Sequence, residues 1–290
     1  MALIARIREL PHRNPFRWMF RHPVLFLKNL KWRIQKDTVD RRAVFIAGYG
    51  RSGTSLLQLL LGAHSRCWTP PGEFELFNWG QNIFDKNRFL KYIEADELEK
   101  MYGRSRSISD FAANFYGHGA LGDEQTWLID KVNTHPFMMR YISGIFSKTL
   151  FVVLVRDPRD VYCSAKNHGN FRSAENAYRF AGSWRSAYRR FLRYRESEKC
   201  IWIKYEDLVT NPEATLKIIM KRMGEEMEPA QLDVKKRAED SRAGRKNFQK
   251  LGKEIDTSSI GRWKNEISSA EASAVVAVCR DEMQSFGYIL

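Results

Sequence analysis

The feature that most constrains the fold of this 290-residue chain is an apolar run that ends in a glycine-rich turn and passes directly into a leucine-rich segment. Residues 43–48 are apolar, the turn contains Gly48, Gly50 and Gly53, and leucines follow from Leu56. This order predicts a strand, a glycine turn and a helix. Backbone N–H groups in such a turn, together with the N-terminus of the helix, bind anions. The sequence therefore predicts an anion-binding loop after the first strand.

Two later segments, residues 149–155 and 200–205, have the continuous apolar pattern of strands that are covered on both faces. Between them, residues 173–198 have the three- and four-residue apolar spacing of a helix. This alternation predicts an α/β fold with a mainly parallel central sheet flanked by helices. Because no linker rich in Pro, Gly or Ser divides the chain, we expect a single domain over residues 43–290, preceded by a basic N-terminal arm over residues 1–42.

The charge balance predicts an anionic partner. The chain has 48 Lys and Arg against 34 Asp and Glu, and its first 42 residues contain eleven basic and three acidic side chains. No apolar run approaches the roughly 20 residues of a membrane-spanning helix. We expect a cytoplasmic protein without a nucleic-acid partner. The arm is interpreted either as a packed or solvated segment or as a peripheral contact with an anionic membrane.

The turn differs from a nucleotide-triphosphate loop at one position. Gly48, Gly53 and Ser55 fit the pattern G-x-x-x-x-G-K-[ST], but Thr54 stands where the lysine is required. That lysine neutralises phosphate charge, and the last hydroxyl holds Mg²⁺. Arg51 supplies a cation at a different place in the turn. The loop is therefore expected to bind an anion of lower charge without a metal ion.

A second candidate phosphate site follows the apolar run at 149–155. Arg156 leaves the carboxyl end of that predicted strand, where open α/β sheets bind ligands. If Pro158 lies in the first turn of a helix, Ser164 lies two turns further along. An arginine and a hydroxyl in this arrangement can bind a terminal phosphate. A purely structural helix start is the alternative interpretation.

The motifs resemble those of sulfotransferases that use 3′-phosphoadenosine-5′-phosphosulfate (PAPS). The segment that resembles their 5′-phosphosulfate loop is Gly50, Arg51, Ser52, Gly53, Thr54 and Ser55. The resemblance implies a P-loop-like fold, PAPS as co-substrate and adenosine 3′,5′-bisphosphate (PAP) as product, with no metal. It also implies that Arg156 and Ser164 bind the 3′-phosphate and that Tyr205 lies near adenine. Arg262 and Lys264 belong to a segment similar to the loop that closes over the nucleotide.

The resemblance offers several candidates for the general base. Glu73 lies in a Gly-Glu segment similar to that of the bacterial-type and protein-tyrosine branches, which use a carboxylate, and it is the preferred candidate. Glu75 is an alternative, as is His135, which follows a lysine as in the histidine-using branch but with two extra residues between that lysine and Thr134. Lys131 or Arg51 is expected to polarise the sulfate bridge.

The leading hypothesis is sulfuryl transfer from PAPS to an acceptor hydroxyl on a carbohydrate, a lipid or a peptide. A P-loop kinase or NTPase acting on ATP is the rival enzyme, and it would require Mg²⁺ and a cation at position 54. A non-catalytic protein that binds polyanions is the third interpretation, and it depends on the net charge alone.

Overall fold

The computed structural model describes residues 22–35, 37–72, 74–79, 81–118, 126–132, 137–168, 172–233 and 254–290. Within these ranges, five strands form one parallel sheet in the order β2-β3-β1-β4-β5. The strands are β1 (Val39–Gly48), β2 (Cys67–Trp68), β3 (Trp127–Val132), β4 (Phe146–Val155) and β5 (Cys200–Lys204). The parallel sheet agrees with the fold predicted from the sequence.

Helices connect the strands and cover both faces of the sheet. In the described ranges they are α1 (Pro23–Ile34), α2 (Thr54–Gly62), α3 (Ala95–Arg104), α4 (Ile108–His118), α5 (Phe137–Ser143), α6 (Pro158–His168), α7 (Ala177–Phe191), α8 (Tyr205–Thr210), α9 (Pro212–Met223), α10 (Trp263–Glu266) and α11 (Ser269–Ser285). Short 3₁₀ helices are formed by Lys86–Arg88, Arg172–Glu175, Leu192–Tyr194 and Pro229–Leu232. None of the described helices is long and apolar enough to cross a bilayer.

The core lies on both faces of β1, the central strand. Phe45 belongs to an aromatic-rich cluster on one face, whereas Val44 and Ile46 belong to an aliphatic cluster on the other, as the two-residue period of a strand requires. Burial of each of these side chains contributes about 1.5–3 kcal/mol. The two cores hold the carboxyl ends of neighbouring strands in register, with Gly48 opposite Leu154.

The start of the domain differs from the predicted boundary after residue 42. Strand β1 begins at Val39, and α1 before it packs on the body through the buried Trp32. The Trp32 ring lies 4.7 Å from the ring of Phe84 and 6.2 Å from that of Phe111. Helix α1 therefore packs on the body of the domain, because Trp32 completes the aromatic core, and the exact division into arm and domain stays a prediction. The first 21 residues of the predicted arm lie outside the described residues.

Candidate active site

The glycine turn joins β1 to α2 as predicted, and its backbone is unusual at two positions. Arg51 has a φ of 73° and Gly53, the N-cap of α2, has a φ of 94°. A Cβ atom added at Gly53 would lie 2.5 Å from Cδ2 of Tyr205, so only glycine fits between the loop and that ring. The turn therefore brings the N-terminus of α2, with its free N–H groups, close to the end of β5.

The hydroxyl of Tyr188 in α7 forms hydrogen bonds that hold this turn against the end of β4. Its hydroxyl donates to the Leu154 carbonyl at 2.6 Å and accepts from the Tyr49 N–H at 3.3 Å. The same hydroxyl lies 3.4 Å from Oγ of Ser52. Complete burial raises the pKa of Tyr188 above its ordinary value. This residue was missed as part of the site, because helical spacing within the sequence predicts only that it packs in the core.

Arg156 leaves the end of β4 and is 4% exposed. Its Nη1 donates to the Arg51 carbonyl at 3.1 Å and its Nη2 to the Ser259 carbonyl at 2.5 Å. The guanidinium lies 4.3 Å from the centre of the Tyr205 ring. Its Nε is buried and has no hydrogen-bond partner within the described residues. Arg156 is thus a buried cation whose own hydrogen bonds go to neutral carbonyls, while its charge acts on the nearby carboxylates of Asp160 and Glu206.

The two predicted phosphate clusters touch each other. Helix α6 begins at Pro158, as the sequence predicts, and Ser164 lies on it two turns from Arg156. Nε of Arg51 donates to Oγ of Ser164 at 3.1 Å. The carbonyl of Arg51 at the same time accepts a hydrogen bond from Nη1 of Arg156. The two clusters are therefore adjacent at the carboxyl end of the sheet.

The remaining residues of the segment after β4 bind the C-terminal part of the chain. Asp160 accepts the N–H groups of Gly261 at 2.8 Å and of Trp263 at 3.0 Å. The Arg159 guanidinium lies 4.1 Å from the Trp263 ring and pairs with Asp157 at 2.7 Å. Burial raises the pKa of Asp160. These contacts hold residues 259–263 beside Arg156. The structural interpretation therefore applies to Asp157, Arg159 and Asp160, whereas ligand binding by Arg156 and Ser164 stays a prediction.

Arg262 and Lys264 are less closely associated with this cluster. Arg262 forms two hydrogen bonds with Glu266, at 2.8 and 2.6 Å, which raise its pKa. Lys264 is exposed, and its ammonium lies 6.0 Å from the Trp263 ring. Neither side chain forms a hydrogen bond with Arg156 within the described residues, so a role for them at the nucleotide stays a prediction.

A lysine from the neighbouring strand reaches the turn. Nζ of Lys131, near the end of β3, donates to Oγ of Ser55 in the first turn of α2 at 2.9 Å. Thr54 stands at the lysine position of a triphosphate loop. Lys131 therefore supplies a positive charge from outside the loop, at the hydroxyl that would otherwise be available to Mg²⁺.

The candidate bases are only partly located. Glu73 and His135 lie outside the described residues. Glu75 has a φ of 48°, and its Oε2 accepts from the amides of Asn78 at 3.1 Å and Gln81 at 3.2 Å. Glu75 is thus held within its own loop.

Comparison with known proteins places these observations in a family context. A model of the Sulfotransferase family matches residues 43–229. Rat Sulfotransferase 2A1 is 27% identical over 174 residues, which are 49% of this chain and 61% of the relative. The chain thus spans about three-fifths of the length of the curated relatives it matches.

Solved structures agree on the fold. The sulfotransferase domain from the curacin biosynthetic pathway has a TM-score of 0.64 at 19% identity, covering 88% of this chain and 100% of that domain. Mouse sulfotransferase SULT7A1 in complex with PAP has a TM-score of 0.54 at 12% identity, covering 89% of this chain and 90% of that protein. The P-loop-like fold predicted from the sequence is confirmed.

Proposed function

The chain belongs to the sulfotransferase family, and from this premise we propose that it transfers a sulfuryl group from PAPS to an acceptor hydroxyl and releases PAP. The observation that carries the proposal is the contact between the two phosphate clusters, in which Arg51 donates to Ser164 and its carbonyl accepts from Arg156. A nucleotide with phosphate groups at both the 3′ and 5′ positions matches two adjacent anion sites. The fold-level neighbour from mouse, solved with PAP, is consistent with this ligand.

Each cluster has a distinct part in binding the donor. The backbone from Gly50 to Ser55 and the N-terminus of α2 would bind the 5′-phosphosulfate. Arg156, as a buried cation at the strand end, and Ser164, through its hydroxyl, would bind the 3′-phosphate. The Tyr205 ring, already in contact with Gly53 and Arg156, would lie against adenine. Arg262 and Lys264 would add charge where the C-terminal segment covers the nucleotide.

The transfer exchanges one S–O bond for another. The acceptor oxygen attacks sulfur in line, its proton passes to a base, and the bond from sulfur to the 5′-phosphate oxygen of the donor breaks. Lys131 and Arg51 stabilise the negative charge that develops on the departing phosphate, because both are cations at the turn. We propose Glu73 as the base. Glu75, whose Oε2 accepts two amide hydrogen bonds, and His135 are the alternatives.

The contact between Lys131 and Ser55 argues against a kinase or NTPase. In a triphosphate site the hydroxyl at this position binds Mg²⁺. Here that hydroxyl accepts a hydrogen bond from an ammonium group at 2.9 Å, and position 54 is a threonine. A single lysine suits a phosphosulfate anhydride, whose terminal sulfuryl group carries less charge than a γ-phosphate.

The proposal is tested by measuring PAP release from PAPS in the presence of EDTA. The acceptors are supplied separately as a phenol, a sterol, a monosaccharide and a tyrosine peptide, since the donor site does not identify the acceptor. We expect PAP release that depends on at least one of them. Mg²⁺-dependent cleavage of the γ-phosphate of ATP, without turnover of PAPS, would identify the rival enzyme.

A cytoplasmic location stays a prediction.

A further inference from the structure

Large apolar side chains that are exposed to solvent are concentrated near the N-terminus of the described chain. Of the eleven such side chains within the described residues, six lie in α1 or in the segment that packs against it. They are Val24, Leu25, Leu27, Ile34, Trp79 and Leu90. A cluster of this kind on a surface marks an interaction site more often than scattered single residues do.

Helix α1 has two faces of different character. Asn29, Trp32 and Arg33 are buried against the body of the domain. Val24, Leu27 and Ile34 are spaced by three and seven residues and are 76%, 63% and 65% exposed. Helical periodicity places these three on one side, which faces away from the core. The domain itself therefore leaves this apolar side uncovered within the described residues.

Trp79 extends this surface beyond the end of α1. Its ring, 38% exposed, lies 5.6 Å from the ring of Tyr141, whose hydroxyl donates to the Arg33 carbonyl at 2.7 Å. Tyr141 therefore joins Trp79 to the last turn of α1, next to Ile34. We define the N-terminal face as Val24, Leu27 and Ile34 together with Trp79.

The surroundings of the N-terminal face are basic. Lys28 and Lys31 are exposed on α1, and Arg140 is exposed on α5 beside Tyr141. Residues 10–36 contain seven Lys and Arg and no Asp or Glu. Apolar side chains with a tryptophan, bordered by lysine and arginine, are typical of helices that lie in the interface of an anionic bilayer.

We propose that the N-terminal face lies on an anionic lipid bilayer, with Val24, Leu27, Ile34 and Trp79 at the acyl boundary and the basic residues at the headgroups. A second copy of the chain is a poorer occupant, because its corresponding surface would bring like charges together. The membrane supplies both an apolar phase and negative charge. This inference goes beyond the proposed transfer reaction and does not depend on it.

The opposite face of α1 contacts the segment that follows Glu75. Oδ1 of Asn29 accepts the Ile83 N–H at 3.1 Å, and Nη2 of Arg33 donates to the Gln81 carbonyl at 2.9 Å. A bilayer on the N-terminal face would therefore lie one helix away from residues 81–83. Membrane binding would hold this segment close to the lipid surface.

The test measures sedimentation of the full chain with vesicles of phosphatidylcholine alone and with vesicles that also contain phosphatidylglycerol. We expect binding to the anionic vesicles only. The double variant Leu27→Glu, Ile34→Glu should bind at least about tenfold more weakly, because it loses apolar contact and adds negative charge. The matched control is Ile218→Glu, whose side chain is 56% exposed on α9, and it should bind as the wild type does. Equal thermal midpoints would show that all three chains are folded.

Three results would overturn the proposal. The wild type could fail to sediment with anionic vesicles. The double variant could bind them as tightly as the wild type, which would assign binding to other residues. Size-exclusion chromatography could show a dimer that the double variant dissociates, which would make the N-terminal face an interface between copies of the chain.

Discussion

Two parts of the proposed site are built in different ways: the donor end, which comprises the residues proposed to bind the nucleotide, and the loop of the candidate base Glu75. Arg156, Lys131, Tyr205 and the glycine turn lie at or near the carboxyl ends of four neighbouring strands, so the register of the sheet sets their positions. The loop of Glu75, between β2 and β3, has no strand in its described part, and side-chain contacts hold it. The sheet thus positions the residues proposed to bind the nucleotide, whereas local side-chain hydrogen bonds hold Glu75, one of the alternative bases, in its loop.

This difference explains how much could be predicted from the sequence. The glycine turn and the pair Arg156 and Ser164 are short segments whose meaning follows from the strand before them and the helix after them. Tyr188 lies 34 residues after its partner Leu154, and Ser259 lies 103 residues after its partner Arg156. No local pattern marks either residue as part of the site. Contacts over such separations depend on the complete fold.

The packing of α1 could not be predicted from the sequence for the same reason. Trp32 lies in a basic segment that composition assigns to an arm, yet it completes the aromatic core around Phe84. Asn29 and Arg33 bind backbone atoms of residues 81 and 83 from the same helix. None of these pairings has a sequence signature. Glu73, the proposed base, is identified by its Gly-Glu motif.

The largest effect is expected from Glu73→Gln. Loss of a general base lowers turnover by about 10²–10⁴-fold, while the affinity for PAP should stay within about twofold because the donor end is separate. Turnover is measured as PAP release, and affinity by calorimetry. Glu75→Gln is the matched control and should reduce turnover far less. Wild-type turnover in Glu73→Gln would remove Glu73 from the mechanism.

The next largest effect is expected from Arg156→Met. Loss of the buried charge that we propose binds the 3′-phosphate should weaken PAP binding by about 2–4 kcal/mol, or roughly 30- to 1000-fold. Arg262→Met is the control, and it should weaken binding only a few-fold because Glu266 already pairs with Arg262. Calorimetric titration measures both. Equal losses would show that the C-terminal segment contributes as much as the strand end.

Backbone geometry at the donor end is tested by Gly53→Ala. The positive φ and the contact with Tyr205 predict a loss of about 1–3 kcal/mol in the free energy of unfolding. Gly182→Ala is the matched control in α7, where an added Cβ meets nothing within 4 Å. That variant should gain about 0.5–1 kcal/mol. Urea denaturation measures both, and a neutral Gly53→Ala would contradict the tight approach of the turn to Tyr205.

The smallest effect concerns Glu271, which anchors α11 beside the donor end. Hydrogen bonds from Lys166, Ser268 and Tyr162 lower its pKa from 4.5 to about 2. A lowered pKa stabilises the fold above pH 4.5, and this stabilisation is lost as the pH falls from 4.5 towards 2. Glu271→Gln should therefore cost about 1 kcal/mol at pH 7 and progressively less below pH 4.5. A cost that does not change with pH would contradict the assigned pKa.

The central claim is that one nucleotide bridges the two phosphate clusters, and calorimetric titration of the wild type with PAP and with adenosine 5′-monophosphate tests it most directly. We predict that PAP binds at least about 30-fold more tightly, a difference of about 2 kcal/mol from the 3′-phosphate. The Arg156→Met variant should lose most of that difference. Equal affinities of the wild type for the two nucleotides would contradict the claim.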